Sequence, residues 1–129
     1  MQDALDKLDM PEDLRAALRE ALARLVELAK PEVVILFGSW AEGRARPDSD
    51  VDLVVVARTN NRSQLEVRLY ALWWQIQDKN SGLTPADILV FTPREFESEQ
   101  VPGFAAYQAA RHGTILYGRL PEQRKRLAS

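Results

Sequence analysis

Two aspartates stand at the start of a strongly apolar segment of the chain. Asp50 and Asp52 flank Val51, and the run from Val51 to Val56 has the composition of a buried strand. Side chains at i and i+2 of a strand point to the same face, so the two carboxylates are expected to project together. An ionised carboxylate loses several kcal/mol of solvation in a low-dielectric interior, so the pair needs a counter-charge. A divalent cation is the simplest one.

A third acidic residue is expected beside this pair. Asp87 opens another apolar run, Ile88 to Phe91, just as Asp50 and Asp52 open theirs. This run is expected to be the third strand of the chain, and the run from Val51 to Val56 the second. If these two strands pair, Asp87 lies next to the two aspartates. Mg²⁺ prefers hard oxygen ligands and usually keeps water and substrate phosphate in its shell, so two or three carboxylates are enough to hold it. Three of them suit a two-metal phosphoryl-transfer site, in which Asp87 is a ligand or the general base for the attacking hydroxyl.

A glycine and a serine follow the preceding apolar strand, Val33 to Phe37. Gly38 lets the backbone pass close to phosphate oxygens, and Ser39, with the amides after it at an expected helix start, can donate to those oxygens. The turn is therefore predicted to hold a triphosphate. It is not a Walker A loop, because Gly-x-x-x-x-Gly-Lys-Ser/Thr is absent and no lysine follows Gly43.

Three further residues have open roles. Arg44 and Arg46 lie in the loop between the turn and the aspartates, where they can balance phosphate charge or contact a partner protein. Trp74 lies off the apolar stripe of its helix and can be exposed. An exposed tryptophan often marks a binding surface, and a tryptophan packed under a loop is the alternative.

The composition limits the possible functions. With 129 residues we expect one domain from residue 1 to 118 and a mobile charged tail from 119 to 129. The formal net charge of −2 argues against strong direct nucleic-acid binding, and the absence of cysteine excludes disulfides and thiolate metal sites. No segment approaches the roughly 20 apolar residues of a spanning helix, and the N-terminus does not resemble a leader, so we expect a cytoplasmic protein without membrane contact.

Periodic apolar patterns predict the elements that carry these residues. Leucines at three- and four-residue spacing predict a helix from Pro11 to Ala29 with Asp9 as its cap. A capping box from Ser63 to Glu66 predicts the start of a second long helix. Two shorter helices are expected at 93–96 and 104–111, and an edge strand is expected at 115–117. Helices interleaved with few strands indicate an α+β or α/β fold.

The block that begins at Gly38, Gly-Ser-x-Ala-x-Gly, then five residues, then Ser-Asp-x-Asp-Leu, resembles the minimal nucleotidyltransferase family of the DNA polymerase β superfamily. The resemblance implies an α+β fold with a mixed sheet of three to four strands flanked by helices. It also implies that Gly38 and Ser39 hold the nucleotide phosphates, that Asp50 and Asp52 bind Mg²⁺, with two ions expected, and that Asp87 is the third carboxylate. The implied reaction transfers a nucleoside monophosphate from ATP or another NTP.

Several small members of this family resemble antitoxins that pair with a HEPN-domain ribonuclease toxin, which they bind and in some cases adenylylate on a tyrosine. The short chain is similar to this type. We therefore expect AMP transfer to a hydroxyl of a partner protein, with a HEPN toxin as partner, and an oligomer is compatible with the sequence. Two alternatives stay open: a non-catalytic antitoxin that acts by occlusion, and a small-molecule, aminoglycoside-like adenylyltransferase whose acceptor pocket needs an added domain or a homodimer cleft.

Overall fold

Helices are interspersed with strands along residues 3–120, the part of the chain that the computed structural model describes. A short 3₁₀ helix, Ala4–Lys7, precedes α1 (Glu12–Ala29), β1 (Val33–Phe37), β2 (Val51–Val56), α2 (Arg62–Lys79), β3 (Ala86–Phe91), α3 (Pro93–Ser98), α4 (Ala105–His112) and β4 (Thr114–Gly118). None of the helices in this part is long and apolar enough to cross a membrane. Apart from residues 119 and 120, the expected mobile tail lies outside the described residues.

The strands form one mixed sheet in the order β3-β2-β1-β4. β1 is antiparallel to both β2 and β4, whereas β2 and β3 run parallel. A parallel pair needs a long crossover connection, and α2 supplies it. The predicted α+β fold with a mixed sheet of three to four strands flanked by helices is therefore confirmed, as is the predicted edge strand, which is β4.

Helices cover both faces of the sheet. On the first face, α1 and α2 pack on alternate strand residues, which are Val34, Leu36, Val51, Leu53, Val55, Ile88 and Val90. On the second face, α3 and α4 pack on the intervening residues, which are Val33, Ile35, Val54, Val56 and Phe91. Because successive strand side chains alternate between faces, Asp52 and Asp87 belong to the second face. Both lie where β2 and β3 begin.

The two long helices form as predicted, but their predicted caps are wrong. Pro11 occupies the N-cap position of α1 with φ −59°, and no side chain caps this helix, so Asp9 is not the cap. Proline sets a helix-compatible φ by itself, and a side-chain acceptor is therefore not needed to start the helix. Asn61 caps α2 instead of Ser63, since its side chain accepts from the N–H of Gln64 at 3.0 Å.

Candidate active site

Two of the three predicted carboxylates are neighbours across the parallel strand pair. The register places Asp52 of β2 opposite Asp87 of β3. Adjacent strands lie about 4.8 Å apart, and opposed residues send their side chains to the same face. Asp52 is half-buried, whereas Asp87 is exposed. The pairing of the third strand with the second, on which the prediction for Asp87 depended, is thus present.

Asp50 lies directly before β2, which begins at Val51 as predicted, and it is exposed. It is nevertheless close enough to act on its neighbours. Burial raises the pKa of the Asp52 carboxyl above its ordinary value, and the charges of Asp87 and then Asp50 raise that pKa further. The three aspartates therefore form a cluster of mutually repelling charges.

The chemistry of this cluster fits a divalent cation. Between residues 3 and 120, none of the three aspartates forms an ion pair with a lysine or an arginine. Carboxylate oxygens are hard ligands of the kind that Mg²⁺ prefers. With the side chains as they stand between residues 3 and 120, no group of three or more His, Cys, Asp or Glu residues is placed to hold a metal ion. The donor chemistry nevertheless fits the ion, because Asp52 and Asp87 lie side by side and the charge of Asp50 acts on Asp52.

Gly38 lies directly against the carboxylate of Asp52. Its φ is +74°, and a Cβ atom added there would stand 2.3 Å from Oδ2 of Asp52. Phe37, the last residue of β1, pairs with Asp52 across the sheet, so the chain reverses away from β1 beside this carboxylate. Only glycine satisfies both the left-handed backbone and the close approach. The structure therefore brings the predicted phosphate turn next to Asp52, one of the predicted metal-binding residues.

The turn after Gly38 presents a row of backbone amides. Residues 39–43 form a turn, not the helix start predicted after Ser39. The N–H of Glu42 donates to the carbonyl of Gly38 at 3.1 Å. Within the described part of the chain, the N–H groups of residues 39–41 donate to no protein acceptor. Successive amides in a turn form an anion-binding concavity, so a phosphate can bind here without a helix.

Trp40 anchors the loop between the turn and the aspartates, a role that sequence reasoning missed. Its side chain is buried, and its indole N–H donates to the carbonyl of Ser49 at 3.0 Å. The Ser49 hydroxyl in turn accepts from the N–H of Arg46 at 2.8 Å. Because Ser49 immediately precedes Asp50, the indole fixes the backbone from which that carboxylate projects. An aromatic residue inside an otherwise polar loop was the available signal.

The loop carries an ion pair at its surface. Arg44 and Glu42 are 3.2 Å apart, and both side chains are well exposed to solvent. A pair of this kind contributes little to stability and exchanges readily. Arg44 is thus near the phosphate turn and can move from Glu42 to a phosphate oxygen, and the negative charge of Glu42 is offset at this position.

Two side chains of α2 cover the outer edge of β3, and neither was identified from the sequence. The Tyr70 hydroxyl accepts from the N–H of Ile88 at 2.7 Å and donates to Oδ1 of Asp87 at 3.0 Å. One helical turn earlier, Glu66 accepts from the N–H of Val90 at 2.9 Å. The i, i+4 spacing on the helix places two acceptors over alternate amides of the strand. An edge that would otherwise be open for pairing is thereby closed.

The outer face of α2 is apolar and exposed. Leu65, Leu69, Trp73 and Ile76 point into the core, while Val67 and Trp74, on the opposite side of the helix, are 68% and 75% exposed. A groove of about 330 Å³ runs between this face and the start of β3, lined by Tyr70, Ala71, Trp73, Trp74, Gln77, Pro85 and Ala86. The structure therefore shows Trp74 on the surface, beside the strand that carries Asp87.

A mixed sheet with carboxylates at the start of two parallel strands, and a glycine turn against one of them, is an arrangement suited to binding a phosphate group and a cation. The chain belongs to the nucleotidyltransferase domain family, whose sequence model matches residues 17–112. The family expected from the Gly38 to Leu53 block is therefore confirmed, and the protein is a transferase enzyme.

Solved structures share this fold. A toxin–antitoxin complex with AMP-PNP is 20% identical, with 84% of this chain and 77% of that chain covered and a TM-score of 0.55. An MntA–HpeT toxin–antitoxin pair with two aspartate-to-glutamate substitutions is 16% identical, with the same coverages of 84% and 77% and a TM-score of 0.52. A proposed minimal nucleotidyltransferase is 24% identical, with 87% and 94% covered and a TM-score of 0.51. Comparison with curated proteins gives no match.

Proposed function

We propose that the protein transfers AMP, or another NMP, from ATP or another NTP to a hydroxyl of a partner protein, with Mg²⁺ as its cofactor. The observation that carries the proposal is the placement of Asp52 and Asp87 side by side, without an internal counter-charge, beside the Gly38 turn. Membership of the nucleotidyltransferase domain family supports it. In this proposal residues 1–118 are one catalytic domain, and 119–129 are a tail outside it.

In this proposal the turn binds the phosphates and the aspartates bind the cation. Gly38 and Ser39, with the amides of residues 39–41, receive the triphosphate oxygens. Asp50 and Asp52 hold Mg²⁺, with Asp87 as the third ligand, and two ions are expected at this set of carboxylates. When bound, Mg²⁺ neutralises phosphate charge and stabilises the pyrophosphate that leaves.

Asp87 serves as the proton acceptor of the transfer. It is exposed, so an acceptor hydroxyl can approach it from solvent. The hydroxyl oxygen bonds to the α-phosphorus, the bond from that phosphorus to the bridging oxygen breaks, and pyrophosphate departs. The hydroxyl proton passes to the Asp87 carboxylate. General-base assistance of this kind contributes about 10²- to 10⁴-fold to a rate.

A HEPN-family toxin is the proposed partner. Two solved structures with the same fold are toxin–antitoxin complexes, one of them with AMP-PNP. The exposed Val67 and Trp74 face and its groove support a protein acceptor, because they border the strand that presents Asp87. Exposed apolar patches beside polar groups are typical of protein-binding surfaces. The proposal places the protein in the cytoplasm, where ATP and Mg²⁺ are supplied.

The direct test combines the protein with ATP, Mg²⁺ and the product of the neighbouring reading frame, and measures the intact mass of that product. Catalysis predicts the added mass of one or more AMP groups on the partner, and no addition when Asp52→Asn replaces the wild type. A stable complex without added mass would instead support neutralisation by occlusion. The observation in favour of that alternative is the exposed apolar face of α2, where Val67 and Trp74 offer a contact surface that includes none of the three aspartates.

Modification of an aminoglycoside in place of the partner would support the small-molecule alternative. The groove of about 330 Å³ beside β3 is the observation in its favour. It is at the lower end of the volumes of small-molecule sites, about 300 to 1,000 Å³. The same incubation with an aminoglycoside panel, analysed by mass, decides between the two acceptors.

A further inference from the structure

We propose that Tyr70 is a positioning residue for Asp87, which holds one oxygen of that carboxylate and leaves the other for the cation and the acceptor hydroxyl. This inference rests on the proposed function. It adds a residue of α2 to a site otherwise built from the strand ends and the Gly38 turn.

The hydrogen bonds of the Tyr70 hydroxyl fix the direction of its proton. The oxygen accepts from the backbone N–H of Ile88 at 2.7 Å, which occupies one side of the hydroxyl. The single proton is then directed to Oδ1 of Asp87 at 3.0 Å. The hydroxyl therefore links the Asp87 carboxylate to the amide of the next residue along β3. This bridge restricts rotation of the Asp87 side chain.

Asp87 needs such a restraint more than Asp52 does. Asp52 is half-buried and lies against Gly38, so its surroundings limit its rotation. Asp87 is exposed on an edge strand, and the Tyr70 hydroxyl is its hydrogen-bond partner within residues 3–120. An exposed carboxylate loses conformational freedom when it binds a cation or a substrate. A carboxylate that is already oriented loses less, and correct orientation also raises the rate of transfer.

Glu66 provides a matched control on the same helix. It closes the same strand edge by accepting from the N–H of Val90 at 2.9 Å, and it does not hydrogen-bond Asp87. Tyr70→Phe and Glu66→Ala therefore each leave one outward-facing amide of β3 without its side-chain acceptor. Only Tyr70→Phe also releases the Asp87 carboxylate. A purely structural role for Tyr70 predicts similar behaviour of the two variants.

The test measures Mn²⁺ binding in the presence of AMP-PNP by the EPR signal of free Mn²⁺, together with pyrophosphate release and thermal unfolding. Loss of a group that orients a metal ligand typically weakens metal affinity by about 10- to 100-fold. We expect Tyr70→Phe to weaken Mn²⁺ binding by this factor and to lower kcat, with KM for ATP nearly unchanged. Glu66→Ala should bind Mn²⁺ like the wild type, and both variants should show a similar small loss of Tm. In an Asp87→Asn background, Tyr70→Phe should not weaken Mn²⁺ binding further.

Three results would overturn the inference. One is equal Mn²⁺ affinity and kcat in Tyr70→Phe and Glu66→Ala. Another is an undiminished effect of Tyr70→Phe when Asp87 is already replaced. The third is AMP found on Tyr70 after incubation of the chain alone with ATP and Mg²⁺, which would make the tyrosine an acceptor. Failure of the wild type to bind Mn²⁺ with AMP-PNP would refute the proposed function itself, whereas normal wild-type binding with an unaffected Tyr70→Phe refutes the positioning role alone.

Discussion

Two acidic clusters of this protein differ in the source of their counter-charge. In the first, which we term the Arg62 cluster, Glu95 and Glu99 of the α3 region both lie within ion-pair distance of the Arg62 guanidinium. In the second, the three aspartates of the candidate active site have no ion-pair partner within the described residues. The sequence contains arginines near both clusters, so the difference lies in how the fold places them.

The pKa shifts of the two clusters have opposite directions. The hydroxyl of Thr92 and then the guanidinium of Arg62 hold the pKa of Glu95 below its ordinary value. Burial, followed by the charges of Asp87 and Asp50, raises the pKa of Asp52. A carboxylate that the protein stabilises internally serves the fold, whereas carboxylates left to repel one another are typical of sites that bind or react with a ligand. The comparison teaches that an acidic cluster indicates a functional site when no basic side chain of the protein neutralises its negative charge.

The largest expected effect tests this distinction directly. Asp50→Asn, Asp52→Asn and Asp87→Asn should each lower pyrophosphate release by at least about 100-fold, because each removes a cation ligand or the proton acceptor. Their Tm in EDTA should equal or exceed that of the wild type, since a repelling charge is removed. Pyrophosphate release and thermal unfolding on the same samples provide the measurement. Glu99→Gln is the matched control, and it should keep full release; unchanged release in Asp52→Asn would remove the functional distinction between the clusters.

A second prediction concerns how the fold holds Asp52 in place. Gly38 and Gly43 have nearly the same backbone, with φ of +74° and +73°, but a Cβ atom would meet Asp52 only at Gly38 and meets nothing within 4 Å at Gly43. Alanine at either position should cost about 1–3 kcal/mol for the left-handed backbone. Gly38→Ala should cost more than Gly43→Ala and should also lose most pyrophosphate release.

Urea unfolding of these two glycine variants gives the stability difference, and the release assay gives the functional one. The strain of the backbone cancels between them, so the remaining difference reports the contact with Asp52. Equal losses of stability and activity would mean that Asp52 moves away at little cost. The close packing of Gly38 would then not be what positions the Asp52 carboxylate.

The sequence predicted the elements of the candidate site better than their connections. Alternating apolar runs predict β2 and β3 because strand periodicity is local, and the acids at their starts are visible in the chain. Asp52 lies opposite Asp87 because β2 and β3 pair in a parallel register, and the packing of the crossover helix α2 sets that register. No local sequence pattern encodes this register. The bond from Tyr70 to Asp87 joins residues far apart in the sequence, and a polar residue on a helix normally indicates solvent exposure. Long-range side-chain contacts of this kind are therefore the part that sequence reasoning misses.

The errors at the helix starts have a similar cause. Ser63 and Asn61 are both good N-cap residues, since serine and asparagine are about equally favourable at this position. The structure uses Asn61, which releases Glu66 from the predicted capping box. Glu66 then accepts from Val90 in β3. Tertiary contacts thus decide between local alternatives of nearly equal energy.

A third prediction applies the comparison to stability. Arg62→Met should destabilise the protein by about 0.5–1 kcal/mol, because it leaves Glu95 and Glu99 to repel each other. It also removes the guanidinium from the face of Phe91, where the two groups are 4.8 Å apart. Arg44→Met removes a guanidinium from the exposed pair with Glu42 and should have almost no effect. Denaturant midpoints measure both variants, and an equal response would show that the Arg62 cluster is no more structural than an ordinary surface pair.

The smallest expected effect is a pH dependence at the Arg62 cluster. Because the folded-state pKa of Glu95 is below its ordinary value of 4.5, its contribution to stability is present above that pH and is lost as the pH falls through the folded-state pKa. Wild type should therefore be slightly more stable than Glu95→Gln at neutral pH, and the gap should close in acid. The glutamine oxygen can still accept from Thr92, so the difference reports the negative charge that interacts with the Thr92 hydroxyl and with the Arg62 guanidinium. Thermal unfolding from pH 7 to pH 3 measures it, with the exposed Glu20→Gln as the control for a lost negative charge. A gap that persists in acid would assign the effect to the altered cap of α3, and the Arg62 cluster would then owe its stability to hydrogen bonding more than to charge.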